Sequence, residues 1–237
     1  MSVNFSFNGF SVPTLAILRE ESRPVIPAIS TLAVDVPRRD GSILRDRKLL
    51  PRILTIPFIV RFQNLEEFNR IKTQMAANWF TKEPGTLIFT EEPTIEYYGV
   101  LMDFPPLESY PTFARGTVTF ICHDPFKYSS AHRGMLTMPF TNSGTAESAP
   151  TFLITLSEAA TEFTVENHDG ERLRLVNGFR EGDYLEIDVG RRLIRINGEI
   201  EMTAFDFTSR WPMVKPGINN FQASQPGLMV YYRERWF

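Results

Sequence analysis

Cysteine is almost absent from this 237-residue chain. Cys122 stands alone, so no intrachain disulfide forms, and one thiol with three scattered histidines matches no zinc-ligand spacing. A fold completed in a reducing cytoplasm is the expectation. Excess positive charge is lacking too. Lys and Arg number 25 against 28 Asp and Glu, a formal net charge of -3, which leaves no global field to draw the chain onto nucleic acid or an anionic membrane. Long apolar runs are missing, and the opening MSVNFSFNGF has neither the basic start nor the apolar core of a secretory signal. Membrane insertion, signal-directed export and direct nucleic-acid binding are therefore not expected.

What is present is apolar material for one large or two modest cores, 43% hydrophobic with 13% aromatic. Most of it alternates with period two. In RILTIPFIVRF, Leu54, Ile56, Phe58, Val60 and Phe62 share one face of a strand. Pro57 has no N–H for a ladder, which predicts a sheet edge or a bulge at that point. One helix is predicted in NLEEFNRIKTQMAANWF, with Leu65, Phe68, Ile71, Met75 and Trp79 as its apolar stripe and Asn64 with Glu67 as a capping-box start. No glycine-rich loop adjoins it, so the stripe reads as core and no cofactor is expected. After HDPFKYSSAHRGM the chain turns to short strands at close spacing, TFLITL, TEFTVEN, ERLRLV, DYLEIDV, RLIRI and LMVYYRER, the texture of a β-sandwich. Gly190 and Asn197-Gly198 mark tight turns, the latter a type I′ hairpin.

Cys122-His123-Asp124 looks at first like chemistry. In TVTFICH, however, Val118, Phe120 and Cys122 fall on one face of a strand, with Thr117, Thr119, Ile121 and His123 on the other. Thiol and imidazole point apart, and Cys122 reads as a small core residue; a base brought from His132 or His168 is the alternative. Glu186 and Asp188 alternate with Leu185, Ile187 and Val189 on DYLEIDV, as on any half-exposed strand, and do not make the carboxylate pair of a glycosidase. The basic run of Arg38, Arg39, Arg45, Arg47 and Lys48 lacks the glycine density of a phosphate cradle and is interrupted by Asp40 and Asp46. A solvated loop or a mixed-charge interface remain as its readings. No catalytic residue, metal ligand or enzymatic activity is predicted.

Cys122 followed by Asp124-Pro125-Phe126 and Tyr128 resembles the end of the N-terminal domain in the distal tail protein family of long-tailed, non-contractile phages. FSFNGF (5–10), VDVPRRDGSIL (34–44) and PGTLIFTEEPTIEYYGVLMD (84–103) are similar to that family's segments, in its order. Downstream, FTNSGTAESAPTFLITL, INGE and KPGINNF resemble its C-terminal domain. The resemblance implies a mainly β fold: an N-terminal sandwich or barrel-like, ring-forming domain with one α-helix (1–133) and a C-terminal galectin-like sandwich (134–237). It implies a structural virion protein at the phage tail tip, assembled in the host cytoplasm. Its partners would be further copies of itself in a homohexameric ring, the tail-tube protein, and a hub, fibre or receptor-binding protein. Within that reading the ring interface falls on Arg38, Arg39, Asp40, Ile43, Leu44, Arg45, Arg47, Leu49 and Leu50. The alternative is an adsorption module for host cell-wall glycans, with Trp211 as sugar platform; the His-x-Asn-x-Arg pattern of true galectins is missing, so simple galactosides are not expected to bind.

Overall fold

The computed structural model describes residues 4–18, 23–136 and 138–237. The chain separates into two compact units, Met1–Lys127 with Phe237, and Tyr128–Trp236. The expected division at Arg133/Gly134 lies inside a strand that runs Lys127–Met135.

In the first unit, strands β1 (Phe5–Phe7), β2 (Leu15–Ile17), β3 (Ile29–Asp35), β4 (Ser42–Leu49) and β5 (Arg52–Arg61) precede helix α1 (Leu65–Trp79). Strands β6 (Gly85–Phe89), β7 (Ile95–Asp103), β8 (Glu108–Ser109) and β9 (Phe113–Cys122) follow it. β5 pairs with β9 along its whole length, from Arg52 opposite Cys122 to Arg61 opposite Phe113. β2 adds to the other side of β5, while β7 joins β9 to the β6–β1 pair. Alternation then drives Leu54, Ile56, Phe58 and Val60 inward, each 0% exposed.

Pro57 departs from its expectation. It sits inside a paired strand, opposite Thr117, with no break in register. The reason lies in the direction of its backbone groups: the Pro57 carbonyl accepts from Leu18 N at 2.9 Å, on the β2 side. The missing N–H faces the same way, just where the three-residue β2 ends, so the β5–β9 ladder loses nothing.

Helix α1 follows its sequence closely. Asn64 Oδ1 accepts from Glu67 N at 2.8 Å, and Glu67 Oε2 accepts in return from Gln63 N at 2.7 Å. Phe68, Ile71, Met75 and Trp79 are buried. Leu65, expected in the same stripe, is 69% exposed: at about 100° per residue it lies at the margin of the face set by the four buried residues. Trp79 anchors the core, with Phe5, Phe58 and Phe104 rings at 5.4, 6.0 and 5.3 Å.

The second unit contains β10 (Lys127–Met135), β11 (Phe140–Asn142), β12 (Thr151–Thr155), β13 (Ala160–Asn167), β14 (Arg172–Phe179) and β15 (Tyr184–Asp188). It continues through β16 (Leu193–Ile196), β17 (Glu199–Ile200), β18 (Gly217–Asn219), β19 (Phe221–Ala223) and β20 (Met229–Trp236). One sheet runs β17-β16-β15-β12-β20 and a second β14-β13-β19, with β11 and β18 as a separate pair. Phe152, Ile154, Leu185 and Ile187 from the first meet Phe163, Val165, Leu173 and Leu175 from the second in one apolar core, the sandwich that the strand spacing predicts. Asn197 and Gly198 take φ of 52° and 87° between β16 and β17, a two-residue type I′ hairpin. At the preceding turn the left-handed residue is Arg192, φ 52°, and not Gly190.

Three aspartates of this unit titrate below their ordinary value of 3.8. Asp183 accepts from Arg180 N and Asn197 Nδ2, Asp206 from Thr208 N and Oγ1, and Asp169 from Lys215 Nζ. Each bond favours the ionised carboxylate. Folded values depressed below unfolded ones mean that the unfolded chain binds more protons, so this contribution is present above the unfolded value and lost as pH falls through the folded ones. Calorimetric scans from neutral pH down through that window are expected to show a falling Tm for this unit. The Asp206→Asn variant should have a shallower decline; an equal slope would remove Asp206 from the account.

Candidate assembly surfaces

The residues assigned to a ring interface occupy a free-standing hairpin. Among the described residues β3 and β4 pair only with one another, Ile29 opposite Leu49 through Asp35 opposite Ser42, and join no other sheet. The chain reverses through 36–41, where Arg38 and Gly41 adopt φ of 67° and 78°. Register shifts between Leu32 and Ala33, opposite an extra residue, Arg45. Because side chains alternate, that one insertion reverses the parity of everything beyond it in β4. It brings Ile43 onto the face of Leu32 and Val34, and places Leu44 on the opposite face with Ile29, Ala33 and Leu49.

The arm is therefore apolar on both sides and covered on neither. Leu32 is 61% and Leu44 58% exposed, and Ile29, Val34, Val36 and Leu50 are exposed as well. An isolated two-stranded hairpin is marginal alone, and its edges present unpaired backbone groups. Arg38, Arg39, Asp40, Arg45 and Arg47 are exposed, and none of the four arginines makes an ion pair among the described residues. The sequence expectation covered the turn and the second strand of this surface, Arg38 to Leu50. Ile29, Leu32 and Val34 of β3 complete it, and the signal for them was two apolar runs flanking the Pro-Arg-Arg-Asp-Gly turn.

Beneath the arm lies a buried cation that sequence reasoning also missed. Arg52, 1% exposed, opens β5. Its Nη1 donates to the Pro24 carbonyl, just before the arm, and its Nε to the Pro125 carbonyl at 2.9 Å. The guanidinium lies 6.0 Å from the Tyr97 ring centroid. Desolvation lowers its pKa, and Tyr97 offsets part of that. Leu50 N closes the arm's base by donating to Ala28 O at 2.7 Å.

Cys122 is 0% exposed beside Val118 and Phe120, as the alternation predicts, and His123 on the opposite face is exposed. Burial pushes the thiol up to about 12, with Arg52 only partly countering it. A thiolate nucleophile is thus suppressed at neutral pH. Alkylation of the native protein by iodoacetamide is expected to be negligible. Cys122→Ser should cost roughly 1–3 kcal/mol through an unpaired buried hydroxyl, read as a lower denaturation midpoint. Fast labelling of the folded chain would overturn this placement.

In the second unit the acidic strand makes ordinary structural bonds. Glu186 pairs with Arg195 across the β15–β16 hairpin at 2.7 Å, and Asp188 accepts from Arg191 N. Trp211 is half-buried, with one ring face stacked on Phe205 at 4.9 Å and 11°. The exposed ring of this region is Phe207, 94% accessible. No group of three or more His, Cys, Asp or Glu among the described residues is arranged to hold a metal ion.

Against known proteins, residues 3–122 match the profile of the phage tail protein RIFT-related domain, and residues 143–236 that of the siphovirus-type tail component C-terminal domain. The chain belongs to the phage distal tail protein family. The distal tail protein of Bacillus phage SPP1 is 29% identical over 201 residues, spanning 81% of this chain and 79% of that one. The crystal structure of SPP1 Dit, described as a paradigm of the hub adsorption apparatus in phages infecting Gram-positive bacteria, superposes over 100% of both chains with a TM-score of 0.86 at 22% identity. A chain of the phage P2 baseplate in its Ca-activated conformation matches more distantly, with a TM-score of 0.53 and 10% identity over 99% of this chain and 98% of that one. The distal tail fold, mainly β with one helix, is thus shared across the full length. As a family member the protein is a structural component of a phage tail and is carried in the virion.

Proposed function

We propose that six copies of this chain close into a ring at the tail tip, joining the tail tube to a hub, fibre or receptor-binding protein, and that the first unit makes the ring. The observation that carries the reading is the uncovered β3–β4 arm, apolar on both faces and charged at its tip. A closed ring larger than a dimer needs a heterologous contact, one patch of each subunit meeting a different patch of the next. A protruding arm supplies one such patch: Leu32, Val34, Ile43 and Leu44 for burial, and Arg38, Arg39, Arg45 and Arg47 with Asp40 for register. The role is non-enzymatic. A buried thiol held largely protonated and an acidic strand tied up in structural pairs are consistent with that. Assembly then takes place in the host cytoplasm, before the virion is complete.

Electron microscopy and light scattering of the purified full chain test the ring. Six-lobed hollow particles of six times the monomer mass are expected. A protein that stays monomeric at concentrations up to about 1 mM, with or without its tail-tube partner, would overturn the proposal.

A further inference from the structure

Three asparagines of this chain precede glycine: Asn8-Gly9, Asn177-Gly178 and Asn197-Gly198. All of these residues are exposed, so access alone does not distinguish the pairs. Glycine matters here because it has no side chain to shield its nitrogen from the amide of the residue before it. What differs is where each asparagine side chain is held.

Two of the three are tied to other segments. Asn8 Oδ1 accepts from Thr86 N at 2.8 Å, and the amide lies so close over Gly85 that a Cβ there would stand 2.6 Å from its nitrogen. Asn197 Oδ1 accepts from Tyr184 N and its Nδ2 donates to Asp183 Oδ1, both at 2.9 Å. Each of these amides joins its turn to a neighbouring strand. Swinging it back onto its own main chain would break those bonds.

Asn177 is held the other way. β13 and β14 pair Ala160 with Phe179 and Glu162 with Val176, so Thr161 stands opposite two residues, Asn177 and Gly178, in a bulge. Gly178 N donates to Asn177 Oδ1 at 2.8 Å, and the Asn177 side chain makes no other hydrogen bond among the described residues. The carbon bonded to that oxygen, Cγ, is the atom that the Gly178 nitrogen would attack. Nucleophile and electrophile of a cyclisation are thus already in contact on one side of the Asn177 main chain. Gly178 also borders an open cleft of about 580 Å³ with 159–162 and Phe179, through which water reaches the bond.

We propose that Asn177-Gly178 is a self-modification site, where the folded chain converts Asn177 to aspartate and isoaspartate without an enzyme. The Gly178 nitrogen, having lost its proton to hydroxide, forms a bond with Asn177 Cγ. The Cγ–Nδ2 bond breaks, and the side-chain nitrogen takes up a proton from water and leaves as ammonia. The product is a five-membered imide, which water then opens. Cleavage on the Cγ side leaves aspartate; cleavage on the main-chain carbonyl side leaves isoaspartate, with the chain routed through Cγ. The net change is amide plus water to carboxylic acid plus ammonia, with nothing oxidised or reduced. Isoaspartate adds one atom to the main chain of β14 between Leu175 and Phe179, both core residues. Either product also adds a negative charge next to Val176, the register partner of Glu162.

The test is peptide mass spectrometry after the folded full chain is kept in neutral and in mildly alkaline buffer. Conversion at Asn177 is expected to outpace that at Asn8 and Asn197 by about tenfold or more, since groups held out of attacking position lose at least that much rate. It should quicken with pH, because the attacking nitrogen must lose its proton. In denaturant the three pairs should convert at similar rates, which ties the difference to the fold. Gly178 lies outside the left-handed region and a Cβ there meets nothing within 4 Å, so Gly178→Ala fits the bulge. That variant should convert several-fold more slowly with Tm unchanged, its new methyl shielding the nitrogen. An Asn177 that stays intact or converts no faster than the other two in the folded chain, the same ranking in denaturant, or wild-type conversion in Gly178→Ala would each overturn the assignment.

Discussion

Replacing Arg52 with Met is expected to destabilise the first unit by about 2 kcal/mol and to loosen the root of its arm. Two effects oppose one another. Removing a desolvated guanidinium relieves its burial cost, and one of its nitrogens, Nη2, already lacks a hydrogen-bond partner among the described residues. Against that, the carbonyls of Pro24 and Pro125 lose their donors, the contact with Tyr97 goes, and a thioether fills only the stem of the space. Two unpaired carbonyls at about 1–3 kcal/mol each outweigh the relief, because the fork now bonds both at once. A unit of this size should then melt roughly 6–12 °C lower. Arg52→Lys keeps the charge and loses the fork, so it should recover only part of the difference. Hydrogen exchange of the Leu50 amide, bonded to Ala28 O, reads the arm's root directly and should quicken in both variants. Unchanged melting and unchanged Leu50 exchange in Arg52→Met would show that the guanidinium anchors nothing.

That anchor was invisible in the sequence, where Arg52 begins an apolar strand and looks like a polar end-cap. What was legible is local. The helix could be read from Asn64, Glu67 and the spacing of Phe68, Ile71, Met75 and Trp79, since capping and helical period are set within a few residues. The inward turn of Cys122 followed from parity alone, and the Asn197-Gly198 hairpin from the two residues that tolerate positive φ. Features decided by a distant partner were not legible. Pro57 is harmless because β2 happens to end opposite it. Leu44 changes face because Arg45 is an extra residue relative to β3, a fact that exists only once β3 is paired. Among Phe205, Phe207 and Trp211, composition favours the indole as a platform, yet the fold covers one face of it and leaves the phenyl bare.

The parity change at Arg45 makes the arm's two faces separately testable. Leu32→Asp places a carboxylate on the face shared with Val34 and Ile43, and Leu44→Asp places one on the face shared with Ile29 and Leu49. Both leucines are more than half exposed in the single chain, 61% and 58%, so neither change should move the melting of the first unit by more than about 0.5 kcal/mol. In a ring the cost is different in kind. A carboxylate carried into an apolar contact without a partner loses about 3 kcal/mol or more, over a hundredfold in the association constant, and a closed ring repeats the loss at every interface. On the proposed assembly, the double variant is therefore expected to run as a monomer by light scattering at concentrations where the wild-type chain would form rings. The single variants then separate the faces: the one that abolishes assembly marks the side a neighbouring subunit covers, and loss in both means that the arm is gripped between two surfaces. Reversal of the arm's charges, Arg38 and Arg39 at the turn and Arg45 and Arg47 along β4, to Glu should slow assembly and make it sensitive to salt, because rim charges act on encounter more than on affinity. Rings that persist in the double variant with unchanged mass would remove the arm from the interface and leave its apolar faces for the tail-tube partner.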